Sequence, residues 1–197
     1  MQHIHAFAFD GTLTSRDTLI AFIRFGCGRR RLWLGLLRFL PMLVAMKLHC
    51  YPNWKSKQRV FTHFFGGMEQ HDFTALCQRF AAEHTHLMRP AAIATLREIQ
   101  QTGHPIVIIS ASIDDWVRPF FASLHIEADV IGTQVEVIDG RLTGRFSTPN
   151  CYGAEKVRRL LEHYPDRKSY TLTAYGDSRG DRELLAEADE AHYKPFN

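Results

Sequence analysis

Cysteine is scarce: Cys27, Cys50, Cys77 and Cys151 are spread over 197 residues with no CxxC pair. That spacing excludes a disulfide scaffold and a zinc ribbon, and it points to a reducing compartment. No HExxH helix or Cys/His set at zinc spacing occurs, although there are eleven histidines. His3 and His5 fall on one face of an extended run, which reads as packing and not as a metal site. His84 and His86, two apart on a helix, are directed to different faces. GxGxxG and Walker-type loops are missing, so dinucleotide and ATP binding have no support. No apolar run reaches the roughly 20 residues that span a bilayer. The longest candidate, Leu32 to Met46, is interrupted by Arg38 and Pro41. The start lacks the basic–apolar–small order of a signal peptide, so a cytoplasmic protein is expected.

Acids are nearly missing from one stretch. Arg16 to Arg59 holds ten basic residues and a single acid, Asp17. Of 24 basic and 21 acidic residues in all, that leaves 14 against 20 elsewhere. Such asymmetry sets a region facing an anionic partner against an ordinary soluble core. With 45% hydrophobic and 23% charged residues, the chain is a globular domain, or a core with an insertion.

What is present is an alternation of buried strands and amphipathic helices. His3 to Phe9 runs into Asp10-Gly11-Thr12, and Pro105 to Ile109 ends at Ser110. Further strands are predicted over Ala128 to Gly132, Tyr170 to Tyr175 and Ala191 to Tyr193. Helices are predicted after Pro90, closing at Gly103, and over Glu155 to His163. The pattern is that of an α/β fold with a parallel sheet, whose ligands sit beyond the strand carboxyl ends. Asp139-Gly140 between two alternating runs marks a hairpin. Between the first two strands lies a long helical excursion: Thr18 to Phe25, Leu32 to Leu48 broken at Pro41, Trp54 to Phe65, and Phe73 to Leu87. This divides the chain into a core (residues 1–14 and 88–197) and an α-helical cap insertion (residues 15–87).

Asp10-Gly11-Thr12, Ser110, Lys156, Asp177 and Asp181 would meet at one sheet edge. Carboxylates, a lysine, a hydroxyl and the backbone N–H groups of Gly11 and Ala111 suit a phosphate with a hard divalent cation. Singly, each such residue is an ordinary helix or turn cap.

These segments resemble the haloacid dehalogenase (HAD) superfamily, specifically subclass IB phosphatases with a C1-type helical cap and a Rossmann-like core. The carrying motifs are Ala8-Phe9-Asp10-Gly11-Thr12, the strand ending in Ser110, Lys156, and Gly176-Asp177-Ser178-Arg179-Gly180-Asp181. The resemblance implies an Mg2+-dependent phosphomonoester phosphatase acting through an aspartyl-phosphate. It implies acid–base work by Asp10, with its backbone carbonyl on the metal. It further implies phosphate binding by Gly11, Thr12, Ser110, Ala111 and Lys156, metal ligation by Asp177, and a second-shell or water-mediated role for Asp181.

One position departs. The nucleophile's place is taken by Ala8, whose methyl group cannot attack phosphorus. Five other motif residues remain, so the pattern reads as a single replacement that traps bound substrate, not as drift. A natural non-catalytic phosphate- or lipid-binding pseudophosphatase is the alternative, and codon 8 of the gene separates the two. The basic, apolar cap suggests a lipid-like or apolar phosphomonoester, similar to the phosphatidylglycerophosphatase C type. Asp17, Arg31 and Arg38 are the cap residues expected at the substrate. Phosphoserine or another small metabolite is the runner-up. An apolar segment with basic flanks also fits an interfacial helix on an anionic membrane surface, peripheral to the membrane; packing of the cap's own core is the competing account. Nucleic acid is not an expected partner, because the basic segment is leucine-rich.

Overall fold

The structure, a computed structural model, describes residues 2–48 and 50–196. Its centre is a five-stranded, wholly parallel sheet. The strands are β1 (Gln2–Phe7), β2 (Ile106–Ile113), β3 (Asp129–Thr133), β6 (Tyr170–Gly176) and β7 (Glu190–Tyr193), in the order β3-β2-β1-β6-β7. All five predicted strands are therefore present. β2 continues past Ser110, because the register with β3 shifts between Ile109 and Ile113 and pairing resumes at Ile113–Thr133. A separate hairpin joins β4 (Val135–Ile138) to β5 (Arg141–Phe146) through Asp139 and Gly140. Both turn residues have positive φ (50° and 74°), as a type I′ turn demands.

Period-two alternation distributes the strands' side chains between two layers. Ile4, Ala6, Val107, Ile109, Leu172 and Ala174 pack with Leu160 of α7 (Ala154–His163) and Leu184 of α8 (Arg182–Glu187). On the other face, Phe7, Ile106 and Ile108 meet Leu96 of α5 (Pro90–Thr102) and Trp116, Val117 and Phe120 of α6 (Asp114–Ser123). Pro90 opens α5 and left-handed Gly103 closes it.

The excursion is helical: α1 (Thr18–Cys27), α2 (Arg29–Lys47), α3 (Asn53–Phe65) and α4 (Gln70–Glu83). The break expected at Pro41 is absent, and α2 is continuous. Pro41 cannot donate to the Leu37 carbonyl, but both residues lie on the exposed side, where that oxygen is open to solvent. α4 stops at Glu83, short of the predicted Leu87. The His84 ring, with Nδ1 3.1 Å from the Phe80 carbonyl, competes for the oxygen that would continue the helix.

The insertion shares the core of the sheet. Phe22 of α1 stacks on Trp116 at 4.8 Å, and Phe80 of α4 meets Phe120 edge-on at 5.6 Å. Phe61, Phe65 and Phe73 complete the same cluster. The two connections run side by side: Ser15 N–H donates to the Leu87 carbonyl (2.9 Å) and Arg89 N–H to the Leu13 carbonyl (2.8 Å).

Candidate active site

The carboxyl end of β1 turns sharply into the first motif. Ala8 is buried and its N–H donates to the Tyr175 carbonyl (2.9 Å). The turn over Phe9–Leu13 depends on Gly11, at φ +81°. A side chain there would run into the Asp177 carboxylate, so the loop and β6 can close only on a glycine. Thr12 Oγ1 donates to Asp177 Oδ1 (2.7 Å). Asp10 is gripped on both oxygens: Thr18 N–H and Oγ1 donate to Oδ1 (2.7 and 2.6 Å), and Ser112 Oγ donates to Oδ2 (2.5 Å).

Lys156 stands in the first turn of α7. Its Nζ donates to Asp181 Oδ1 at 2.6 Å, with both side chains under 5% exposed. Asp181 Oδ2 accepts from Asp177 N–H, Ser178 N–H and Ser178 Oγ. Burial alone would raise the Asp181 pKa, but Lys156 and Ser178 outweigh it and hold it below the usual carboxylate range. Both Asp181 oxygens are thus occupied, Oδ1 by the lysine and Oδ2 by the turn at Asp177 and Ser178. Ser110 is buried, and its Oγ accepts from Ser112 N–H (2.9 Å).

These groups open on one cavity of about 390 Å3. Ala8, Asp10, Ser110, Ala111, Lys156 and Asp181 form its base, and Asp17, Ser56 and Lys57 face them from the insertion. Leu19, Ile20, Leu36, Leu43, Met46 and Val60 make an apolar wall. Gly11, Thr12 and Asp177 do not line it; they form the bonded layer beside the Asp10 loop.

Arg31 and Arg38, expected at the substrate, are elsewhere. They border a separate groove with Leu34, His63 and Phe64. At 100° per residue, α2 turns residues 36, 43 and 46 toward the cavity and 31 and 38 away from it. Asp17 does reach the cavity, while its carboxylate also caps α1 by accepting from Leu19 N–H (2.9 Å). Though exposed on its outer side, it has a pKa raised by the packing around its carboxylate and by Asp10's charge.

The residues that sequence reasoning missed are Thr18, Ser56, Lys57, Ser112, Asn150 and Tyr152. Lys57 is the most consequential. Its Nζ donates to the Ala111 carbonyl (2.6 Å), so an insertion helix reaches into the base of the site. Enclosure of the ammonium pushes its pKa down, while Asp10 and Asp17 pull it back up. Ser56 Oγ, buried on the cavity wall, has no hydrogen-bond partner among the described residues. Gly180 leaves room for the Tyr152 ring against its backbone.

A magnesium ion would find one available carboxylate oxygen, Asp177 Oδ2, beside the Gly11 backbone. Among the described residues no three His, Cys, Asp or Glu side chains gather as a metal cage. Magnesium is commonly held by one or two carboxylates, with waters and substrate phosphate completing the shell. The donor set fits an ion of that kind, recruited with a phosphate.

A parallel sheet with a polar carboxyl edge under a helical insertion defines a Rossmann-like α/β fold. The chain belongs to the haloacid dehalogenase-like hydrolases, whose family description matches residues 6–186. It is 38% identical to Protein CicA of Caulobacter vibrioides (strain NA1000 / CB15N), over 97% of this chain and 85% of that one. In fold it is similar to a Bordetella pertussis Tohama I protein of unknown function (TM-score 0.83, 17% identity, 97% of this chain and 89% of that one). It is also similar to a substrate-bound phosphoserine phosphatase (TM-score 0.63, 14% identity, 97% and 85% covered).

Proposed function

We propose that the chain is a phosphomonoester-binding phosphatase variant of this family, with Ala8 in the nucleophile's position. The observation that carries this is the convergence of Asp10, Ser110 and Lys156 on one cavity whose base includes Ala8. Ser110 Oγ and the N–H groups nearby would hold the phosphoryl oxygens, and Lys156, braced by Asp181, would offset their charge. Asp10, fixed by Thr18 and Ser112, is positioned to give a proton to the leaving oxygen and later to take one from water. A magnesium ion held by Asp177 and the Asp10 carbonyl would supply further neutralisation of phosphate charge. With no oxygen at position 8, the covalent step is lost and binding remains.

The wall of Leu19, Leu36, Leu43, Met46 and Val60 favours an apolar or lipid-like leaving group. Ser56 Oγ supplies one hydrogen bond to a polar atom on it. A second reading rests on Asp17 and Lys57, whose opposite charges would pair with the ammonium and carboxylate of phosphoserine or a similar small metabolite.

The Ala8→Asp variant tests the reading. It should acquire Mg2+-dependent hydrolysis of an aryl phosphate, while the parent stays inert but is stabilised by inorganic phosphate. A folded revertant without activity overturns the phosphatase assignment. Comparing medium-chain alkyl phosphates with phosphoserine on that revertant then decides the leaving group.

A further inference from the structure

We propose that α2 is a membrane-docking helix, and that its outer face lies on an anionic lipid surface. Trp33, Leu37, Leu40, Val44 and Leu48 recur at the three- and four-residue steps that place them in one stripe along the helix and its cap. Together with Leu34 they are between 49% and 68% exposed, whereas large apolar side chains elsewhere in the protein are mostly inside. A continuous apolar stripe facing water marks a binding surface.

Charge identifies the occupant. Helical geometry sets Arg31 and Arg38 along one edge of the stripe, Arg29 and Lys47 along the other, and Arg30 at its amino end. All five are exposed. Among the described residues none of them is in an ion pair. A second copy of this chain is the poorer partner, because a two-fold contact would set these cations against themselves with no acid on the helix to answer them. A bilayer bearing anionic headgroups answers both features, its acyl boundary taking the stripe and its phosphates the arginines. Among the described residues no helix is long and apolar enough to cross a membrane, so the proposed contact is with the surface. The adjoining face of the same helix supplies Leu36, Leu43 and Met46 to the cavity, so docking would bring the cavity wall to the lipid. The docking itself does not rest on the phosphatase reading.

The test is co-sedimentation of the whole chain with phosphatidylcholine vesicles, with and without about 30% phosphatidylglycerol, at about 50 and 500 mM NaCl. Binding should appear only with the anionic lipid and fall at least tenfold at the higher salt. Trp33 fluorescence should shift to the blue on binding, and the shift should vanish in Trp33→Phe. Leu37→Glu with Leu40→Glu should abolish sedimentation with the circular dichroism spectrum unchanged, as should Arg30→Glu with Arg31→Glu. Failure of the parent chain to sediment, or binding indifferent to lipid charge, overturns the proposal. A dimer in light scattering that the Leu37→Glu pair dissolves also overturns it, in favour of a second copy.

Discussion

Acidification should loosen the protein through the central strand. His5 is 8% exposed, stacked on His3 at 4.3 Å and close to His104 at 6.0 Å. Burial, then repulsion from His3 and His104, lowers its pKa from 6.5 to about 4; Glu190 pulls it back and His192 adds to the lowering. In the native state His5 therefore stays neutral where the unfolded chain takes up a proton. Its contribution is complete above pH 6.5 and is lost progressively as pH falls toward 4. Between pH 8 and pH 5 that shift amounts to about 2 kcal/mol at full strength, and about 1 kcal/mol after discounting the ring's partial contact with water. Urea unfolding at both pH values, for the parent and for His5→Gln, isolates the effect, since the other groups titrate in both proteins. The stability difference between parent and variant should shrink or reverse at pH 5. A difference that is the same at both values refutes the reasoning.

Asp181→Asn strands a buried ammonium, and should cost about 3–5 kcal/mol in chemical denaturation; a loss below about 1 kcal/mol would mean that Lys156 finds water. Lys57→Met should weaken binding of inorganic phosphate by about tenfold in calorimetry while leaving thermal stability equal or higher, because it removes a cation from an enclosed site. Unchanged affinity would exclude Lys57 from the anion site. Phe22→Ala removes a fully buried ring from the seam with Trp116, and should lower unfolding free energy by about 3–5 kcal/mol. A loss under about 1 kcal/mol would show the insertion to be energetically independent of the sheet.

The sheet was legible because β1, β2, β3 and β6 each carry a short apolar run, and those of β1 and β6 give way to Asp10-Gly11 and Gly176-Asp177. The extension of β2 past Ser110 was not, because polar Ser110 and Ser112 interrupt its apolar run. The hairpin was legible from the positive-φ pair Asp139-Gly140. α6 was not, although Trp116, Val117, Phe120 and Phe121 recur at helical spacing, because Pro119 among them reads as a breaker. Asp10, Ser110, Lys156 and Asp181 were found together since local motifs announce them. Lys57 and Ser56 were not, because nothing near them in the chain records that α3 folds over the sheet edge. For Arg31 and Arg38 the seven-residue spacing rightly puts both on one helix face. Which face meets the cavity depends on how α2 packs on α1 and α3, and helical period alone is silent on that.

The helices of the insertion are unequally anchored. α1, α3 and α4 each send phenylalanines into the common core, whereas α2 buries only Leu32 and Gly35. Yet α2 forms much of the apolar side of the cavity. Swinging the whole insertion away would tear Phe22 from Trp116 and Phe80 from Phe120; lifting α2 would expose far less. Entry of a bulky guest would therefore cost least as a displacement of α2 alone, and an outside contact that holds this helix would raise that cost.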